Sequence, residues 1–245
     1  MHEGGSFFRD VPADLRERMR RAPGPPVPPW RLRRRTGQGS RATFLDVGEK
    51  GAAVLLRVVA EEGTPNGGSP GRWLDLGCGC GRIARFLEPS VGADSFVGVD
   101  VDEAMIAWCR RHLAGSFRVM RPRPPLDFPD ASFGVVYAIS IFSHYTEDEQ
   151  LEWLDELRRI LRPGGLFVAT TLAPDRIGDF KTSPEDRERL LRDGFACVNP
   201  DGQFNERATF IAEAYLDRTW RTRFARVRHE PRGFLGYQDL SLWRR

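Results

Sequence analysis

The stretch Asp75-Leu76-Gly77-Cys78-Gly79-Cys80-Gly81 carries the first chemical signal in the chain. Three glycines in alternate positions leave no Cβ to block a ligand, and they let backbone N–H groups approach it closely. The apolar run Trp73–Leu76 leads into them, and residues at helical spacing from Ile83 to Leu87 follow at once. That is a strand breaking into a glycine turn and opening a helix, the place where open α/β sheets bind cofactors. A dinucleotide fingerprint would need glycine at position 82, where Arg82 stands. A second apolar run, Val97-Gly98-Val99, ends in Asp100, 25 residues after Asp75. A carboxylate there offers paired oxygens to the vicinal hydroxyls of a ribose. Capping the next helix is the other role open to it.

Alternating strands and helices position these residues, the signature of a parallel sheet. Strands are expected at Arg72–Leu76, Ser95–Val101, Phe117–Met120, Gly134–Ile139 and Leu166–Leu172. Helices are expected at Arg82–Leu87, Glu103–Leu113 and Glu147–Leu161, the last stopped by Arg162-Pro163-Gly164-Gly165. A helix over Phe44–Ala60 leads into the fold, and Glu62–Arg72 reads as a turn. A polar insertion, a helix over Ala208–Trp220 and a terminal hairpin, Phe224–His229 with Gln238–Trp243, complete the chain. The fold class is therefore α/β: a Rossmann-like, seven-stranded, mostly parallel sheet with a C-terminal antiparallel hairpin and helices on both faces. Residues 1–43 form an N-terminal arm with a short helical pattern at Ala13–Met19. Its part over 20–41 reads as mobile; the sharper reading is a flap carrying Phe7, Phe8 and Trp30. Residues 44–245 read as one domain.

The composition sets bounds on function. The chain has 245 residues, 40% of them hydrophobic, and a net charge of +3. No apolar run reaches the roughly 20 residues of a membrane span. The opening residues lack the pattern of a signal peptide, and four cysteines do not make a disulfide framework, so the expected location is the reducing cytoplasm. The one basic cluster, Arg31 with Arg33-Arg34-Arg35, reads as a solvated segment before it reads as a nucleic-acid contact. Cys78 and Cys80, without further Cys or His nearby, do not make a zinc site, and no metal is expected.

With Asp100 at this distance, the glycine motif resembles the first motif of the class I S-adenosylmethionine-dependent methyltransferases. Phe128-Pro129-Asp130-Ala131-Ser132-Phe133, the strand Val135-Val136-Tyr137-Ala138 and Leu161-Arg162-Pro163-Gly164-Gly165 follow in that family's order. The run Tyr137–His144 and the ending Gln238-Asp239-Leu240 resemble a bacterial branch that modifies small molecules. The likeness covers about residues 44–172. It implies that Asp75 and the backbone of Gly77, Gly79 and Gly81 hold the methionine moiety of S-adenosyl-L-methionine. It implies further that Asp100 holds the ribose, that Val101 and Met105 flank the adenine, and that Ile139 and Ser140 lie under the sulfonium. The acid that often follows the third strand to hold the adenine amino group is absent; Arg121-Pro122-Arg123-Pro124-Pro125 occupies that stretch.

Methyl transfer from a sulfonium asks the protein mainly to hold nucleophile and methyl in line and to exclude water. A hydroxyl acceptor also needs its proton removed. His144, just beyond the fourth strand, is the candidate base; a capping role at the next helix beside Thr146 is its other reading. Tyr137, Tyr145 and Tyr215 are candidates for the acceptor pocket, and the aromatic-rich segment 173–220 falls where this family builds its acceptor lid. His229, near the chain end, has no clear partner in the sequence. The expected activity is methylation of a small-molecule acceptor, at oxygen, in secondary metabolism. The alternatives are N- or C-methylation of a small molecule, an RNA methyltransferase using the arginine arm, and a cofactor-binding protein without transfer activity. The run after the fourth strand, Ile139-Ser140-Ile141-Phe142, does not resemble the Pro-Pro-aromatic run of enzymes that methylate nucleic-acid bases.

Overall fold

In a computed structural model, residues 25–37, 39–63 and 69–245 are described. The expectations for Phe7, Phe8 and the helical pattern at 13–19 lie outside these residues, as does part of the expected turn at 62–72. The chain divides into two compact units, residues 1–120 and 121–245.

In the first unit, extended residues 25–29 lead into a helical turn, Trp30–Arg33, that tightens to a 3-10 turn over Arg34–Thr36. Gly37, at φ 75°, ends it. Helix α1, Arg41–Glu62, follows; Ser40 caps it by accepting from the Thr43 N–H. It buries Phe44, Val54, Leu55, Val58 and Val59. Strand β1, Trp73–Leu76, is followed by α2, Ala84–Val91; β2, Phe96–Asp100, is followed by α3, Glu103–His112; β3, Ser116–Val119, closes the unit. The three strands are parallel in the order β3-β2-β1, with Trp73 opposite Phe96 and Val97 opposite Ser116. All of β1 is buried, which is why its sequence runs apolar without alternation.

The expected mobility of 20–41 does not hold for residues 25–37, which are packed. Leu32 is buried in a cluster with Phe44, Cys80 and Met105, and Val27 and Trp108 pack against it. The Arg33 guanidinium donates to the carbonyls of Pro28 and Gly39, and Arg85 donates to those of Pro25 and Pro26. Arg35 pairs with Asp102 at 2.9 Å, and Arg34 lies over the Trp30 ring. Three arginines of the basic cluster are thus engaged within the chain.

The second unit runs β4, Phe133–Ala138; α4, Glu147–Ile160; β5, Leu161–Thr171; a 3-10 turn, Pro174–Asp179; and α5, Pro184–Asp193. It continues with β6, Phe195–Val198; β7, Ala208–Ile211; α6, Glu213–Thr219; β8, Ala225–Phe234; and β9, Gln238–Arg244. Strand β4 is parallel to β5, which pairs antiparallel with β9, and β9 with β8. The five parallel strands and the terminal hairpin are all present, seven strands in the class expected. Phe142, Phe167, Trp220 and Trp243 pack ring against ring in the core, with centroids 4.8–5.8 Å apart.

Two elements depart from expectation. The helix expected over Ala208–Trp220 begins only at Glu213, because Ala208–Ile211 pairs with Phe195–Val198 as a separate antiparallel hairpin. Thr209, Phe210 and Ile211 are β-branched or aromatic, and all are buried. The insertion before them also holds α5, capped by the reciprocal bonds of Ser183 and Asp186. Pro163-Gly164-Gly165 does not separate helix from strand either. It lies inside β5, where the register slips between Phe133–Leu161 and Val135–Leu166.

Candidate functional site

Two groups of chemically capable residues emerge, one in each unit. In the first unit, Gly77, Gly79 and Gly81 all have φ between 55° and 77°, a region that side chains disfavour. The N–H groups of Gly77 and Cys78 both donate to the Val99 carbonyl, at 2.8 and 3.0 Å, and tie the loop to the end of β2. The Gly79 N–H donates to Asp100 Oδ2 at 2.8 Å, and the Asp102 N–H donates to Asp100 Oδ1 at 2.9 Å. Asp100 therefore joins the glycine loop to the start of α3, while Asp102 caps that helix through Ala104 and Met105. The capping role weighed for Asp100 belongs to Asp102. Burial pushes the Asp100 carboxyl above its ordinary pKa, against the N–H donors that favour its charge.

Gly81 and Gly79 meet different neighbours. A Cβ on Gly81 would stand 2.4 Å from Leu113 Cδ1, and one on Gly79 would stand 3.0 Å from the Thr36 methyl and 3.6 Å from Met105 Sδ. Residues 30–36 therefore lie along the loop, fixed also by the Arg82 guanidinium donating to the Thr36 carbonyl at 3.2 Å. Met105 is buried in the Leu32 cluster, whereas Val101 is 48% exposed. Asp75 is buried on β1. Cys78, Cys80 and Cys109 are buried free thiols around Gly79, and burial pushes Cys80 up to about 12. Thr36 and Leu32 had no signal in the sequence, since only packing brings that segment to the loop.

The fit of a sulfonium nucleoside can be judged from these atoms. A carboxylate offers about four acceptor positions. The Gly79 and Asp102 N–H groups take one position on each oxygen and the Val101 N–H also bears on the carboxylate, which leaves acceptor capacity for a ribose hydroxyl. The loop backbone adopts the left-handed conformation that cofactor-cradling glycines require. These residues fit S-adenosylmethionine.

In the second unit, Ile139 and Ser140 follow β4. Ser140 has φ 59°, rare for a residue with a side chain. Its N–H donates to Thr170 Oγ1 and its hydroxyl to Gln238 Oε1, both at 2.8 Å. His144 lies four residues on, and its Nδ1 is 2.8 Å from the Arg207 carbonyl. A carbonyl only accepts, so Nδ1 carries the hydrogen and Nε2 holds the free lone pair. Burial pushes the imidazole below its ordinary pKa, which keeps that lone pair available at neutral pH. The Phe204 ring packs 4.9 Å from the imidazole.

Arg207 is held in turn by Glu149, at 2.7 Å, and by the Gly202 carbonyl. Thr209 grips both flanks of His144, donating through its N–H to the Ser143 carbonyl and through its hydroxyl to the Tyr145 carbonyl, each at 2.8 Å. The β6–β7 hairpin thus fixes residues 143–145, with Arg207 and Phe204 as partners of His144 that no motif marks. Of the three tyrosines, Tyr137 is fully buried on β4, and Tyr145 stacks on Trp153. Tyr215 packs against Phe195 and donates its hydroxyl to Glu147 at 2.7 Å.

Residues 74–165 match the family described as the methyltransferase domain. Phthiotriol/phenolphthiotriol dimycocerosates methyltransferase 1 of Mycobacterium ulcerans is 36% identical over 105 residues, 42% of this chain and 38% of that protein. The fatty-acid O-methyltransferase of Mycolicibacterium smegmatis is 33% identical over 105 residues, again 42% and 38%. The matched stretch thus takes in about two fifths of those relatives' length. Among solved structures, 1,6-didemethyltoxoflavin-N1-methyltransferase of Burkholderia thailandensis, with S-adenosylhomocysteine bound, superposes with a TM-score of 0.57. At 19% identity over 83% of this chain and 80% of that one, it shares the fold.

Proposed function

We propose, for a chain that carries a class I S-adenosylmethionine-dependent methyltransferase domain, that it methylates an oxygen of a small-molecule acceptor. The observation that supports it most is the Asp100 carboxylate bonded to the Gly79 N–H, with acceptor capacity left for a ribose hydroxyl. In this reading Asp100 takes the ribose hydroxyls, and Asp75 with the backbone of Gly77, Gly79 and Gly81 takes the methionine end. Val101 and Met105 bear on the adenine, and Ile139 and Ser140 on the sulfonium. When bound, S-adenosylmethionine supplies a methyl group on an electrophilic sulfonium.

The protein's own contribution at the acceptor is a proton acceptor and a dry surface. His144 Nε2 takes the hydroxyl proton, because its hydrogen is fixed on Nδ1 by the Arg207 carbonyl and its charge is disfavoured by burial. The apolar ring of Phe204, 37% exposed beside His144, suits a hydrophobic acceptor. A bacterial role in secondary metabolism and a cytoplasmic location accord with the small-molecule relatives and with four cysteines free and buried. No helix among the described residues is long and apolar enough to cross a membrane.

Incubation of a metabolite extract with the protein and methyl-labelled S-adenosylmethionine, followed by mass spectrometry, tests this reading. A product heavier by one labelled methyl and lacking a free hydroxyl supports it. Label on nitrogen or carbon, or no label in any metabolite, contradicts it.

A further inference from the structure

Two of the N–H groups that hold Asp100 are each touched by the segment before helix α1, and by consecutive residues of it. The Gly79 N–H donates to Asp100 Oδ2 and the Asp102 N–H to Oδ1. Thr36 lies on the first of these donors: its methyl would meet a Cβ on Gly79 at 3.0 Å. Arg35 lies on the second: its guanidinium pairs with Asp102 Oδ2 at 2.9 Å.

Each contact is aimed by further bonds. The Thr36 hydroxyl donates to the Arg33 carbonyl at 2.7 Å, which fixes the rotamer that sets the methyl against the loop. The Thr36 carbonyl accepts from Arg82, next to Gly81. Asp102 gives Oδ1 to the N–H groups of Ala104 and Met105, so Oδ2 is the oxygen left for Arg35. Leu32 is buried in one cluster with Cys80 of the loop and Met105 of α3, which seats the turn carrying Arg35 and Thr36 on both elements at once. The Asp102 side chain is only 16% exposed. Its charge pushes the Asp100 carboxyl up, and Arg35 balances that charge.

We infer that Arg35 and Thr36 are positioning residues for the Asp100 carboxylate, an inference that rests on the reading in which Asp100 takes the ribose hydroxyls. Both act through the backbone donors. Thr36 packs on the residue whose N–H meets Oδ2, and Arg35 holds the residue whose N–H meets Oδ1. With both donors held, the remaining acceptor capacity of Asp100 keeps one direction before the nucleoside arrives. A carboxylate free to turn would lose that freedom on binding, which weakens affinity. The segment before α1 thereby takes part in cofactor recognition.

Calorimetry of the full chain with S-adenosylhomocysteine and with its 2′,3′-dideoxy analogue tests this, since the two nucleosides differ only in the ribose hydroxyls. Arg35→Gln and Thr36→Ser are each expected to weaken S-adenosylhomocysteine about two- to fivefold, the value of one partly exposed ion pair or one methyl contact. Both are expected to leave the analogue unchanged. Thr36→Ser keeps the hydroxyl bond to Arg33 and drops only the methyl, while Arg35→Lys keeps the charge and is expected to restore most of the affinity. Variants that weaken both nucleosides equally, or neither, overturn the inference, and the segment then only supports the fold. The carbon-13 resonance of the Asp100 carboxyl reads the claim without ligand. Its titration midpoint is expected to rise in Arg35→Gln, where the Asp102 charge is left unbalanced. A wild-type chain that binds both nucleosides equally, or binds neither, removes the ribose reading. A raised midpoint then keeps Arg35 as the residue that positions Asp100, and an unmoved one removes that role as well.

Discussion

At the residue scale, the proposed chemistry rests on glycines that must be glycine and on a histidine whose tautomer is set. Gly81 combines φ 77° with a Cβ position 2.4 Å from Leu113 Cδ1 and 3.3 Å from Cys109 Sγ. Gly81→Ala is expected to lower stability by about 2–4 kcal/mol, the sum of left-handed strain and overpacking. Urea unfolding of the variant beside the wild type checks it. His144 gives a pH dependence of known sign. Its folded pKa lies below the unfolded value of about 6.5, so the unfolded chain binds more protons in the interval between them. The stabilisation from the neutral ring is present above about pH 6.5 and is lost as pH falls through the lowered folded value. Urea midpoints at pH 8 and pH 5.5 are expected to differ less in His144→Gln than in the wild type. Equal differences in the two proteins count against a buried neutral imidazole.

At the scale of elements, what was legible in the sequence was local, and what was hidden was brought together by the fold. The loop at 75–81 and Asp100 declare themselves because strand, turn and acid follow in short order, and Gly79 bonds Asp100 across only 21 positions. Arg207 meets His144 across 63 positions through a backbone carbonyl, which no residue type encodes. The β6–β7 hairpin was hidden for another reason. Ala208–Ile211 runs directly into the helix Glu213–Thr219, so the two blurred into one helical pattern, although Thr209, Phe210 and Ile211 favour a strand. Residues 25–37 looked like a proline- and arginine-rich arm because Leu32, which anchors it, stands between Arg31 and Arg33 with no helical or strand period around it. The hairpin's clasp can be opened by design. Arg207 and Glu149 pair at 2.7 Å with side chains 17% and 14% exposed. Glu149→Gln is expected to cost about 1–3 kcal/mol, less than a fully buried pair. It should also raise amide hydrogen exchange across 204–211 while leaving that of β1 and β2 unchanged. Unaltered exchange in the hairpin contradicts the clasp.

At the scale of the whole molecule, a net charge of +3 does not favour a polyanion, and three of the four clustered arginines are engaged within the chain. The chain's similarity to known methyltransferases is concentrated in 74–165, the stretch with the glycine loop and Asp100. Outside it, the β6–β7 hairpin fixes His144 through Thr209 and Arg207, and the β8–β9 pair sets His229 beside Asp239. The central claim is that the loop and Asp100 bind S-adenosylmethionine, and calorimetric titration of the full chain with that compound tests it most directly. The wild type is expected to bind one equivalent, and Asp100→Ala to bind about 10- to 100-fold more weakly, as loss of hydrogen bonds to a charged group requires. A wild-type chain that takes up no S-adenosylmethionine, or an Asp100→Ala chain that binds it equally well, would contradict the account.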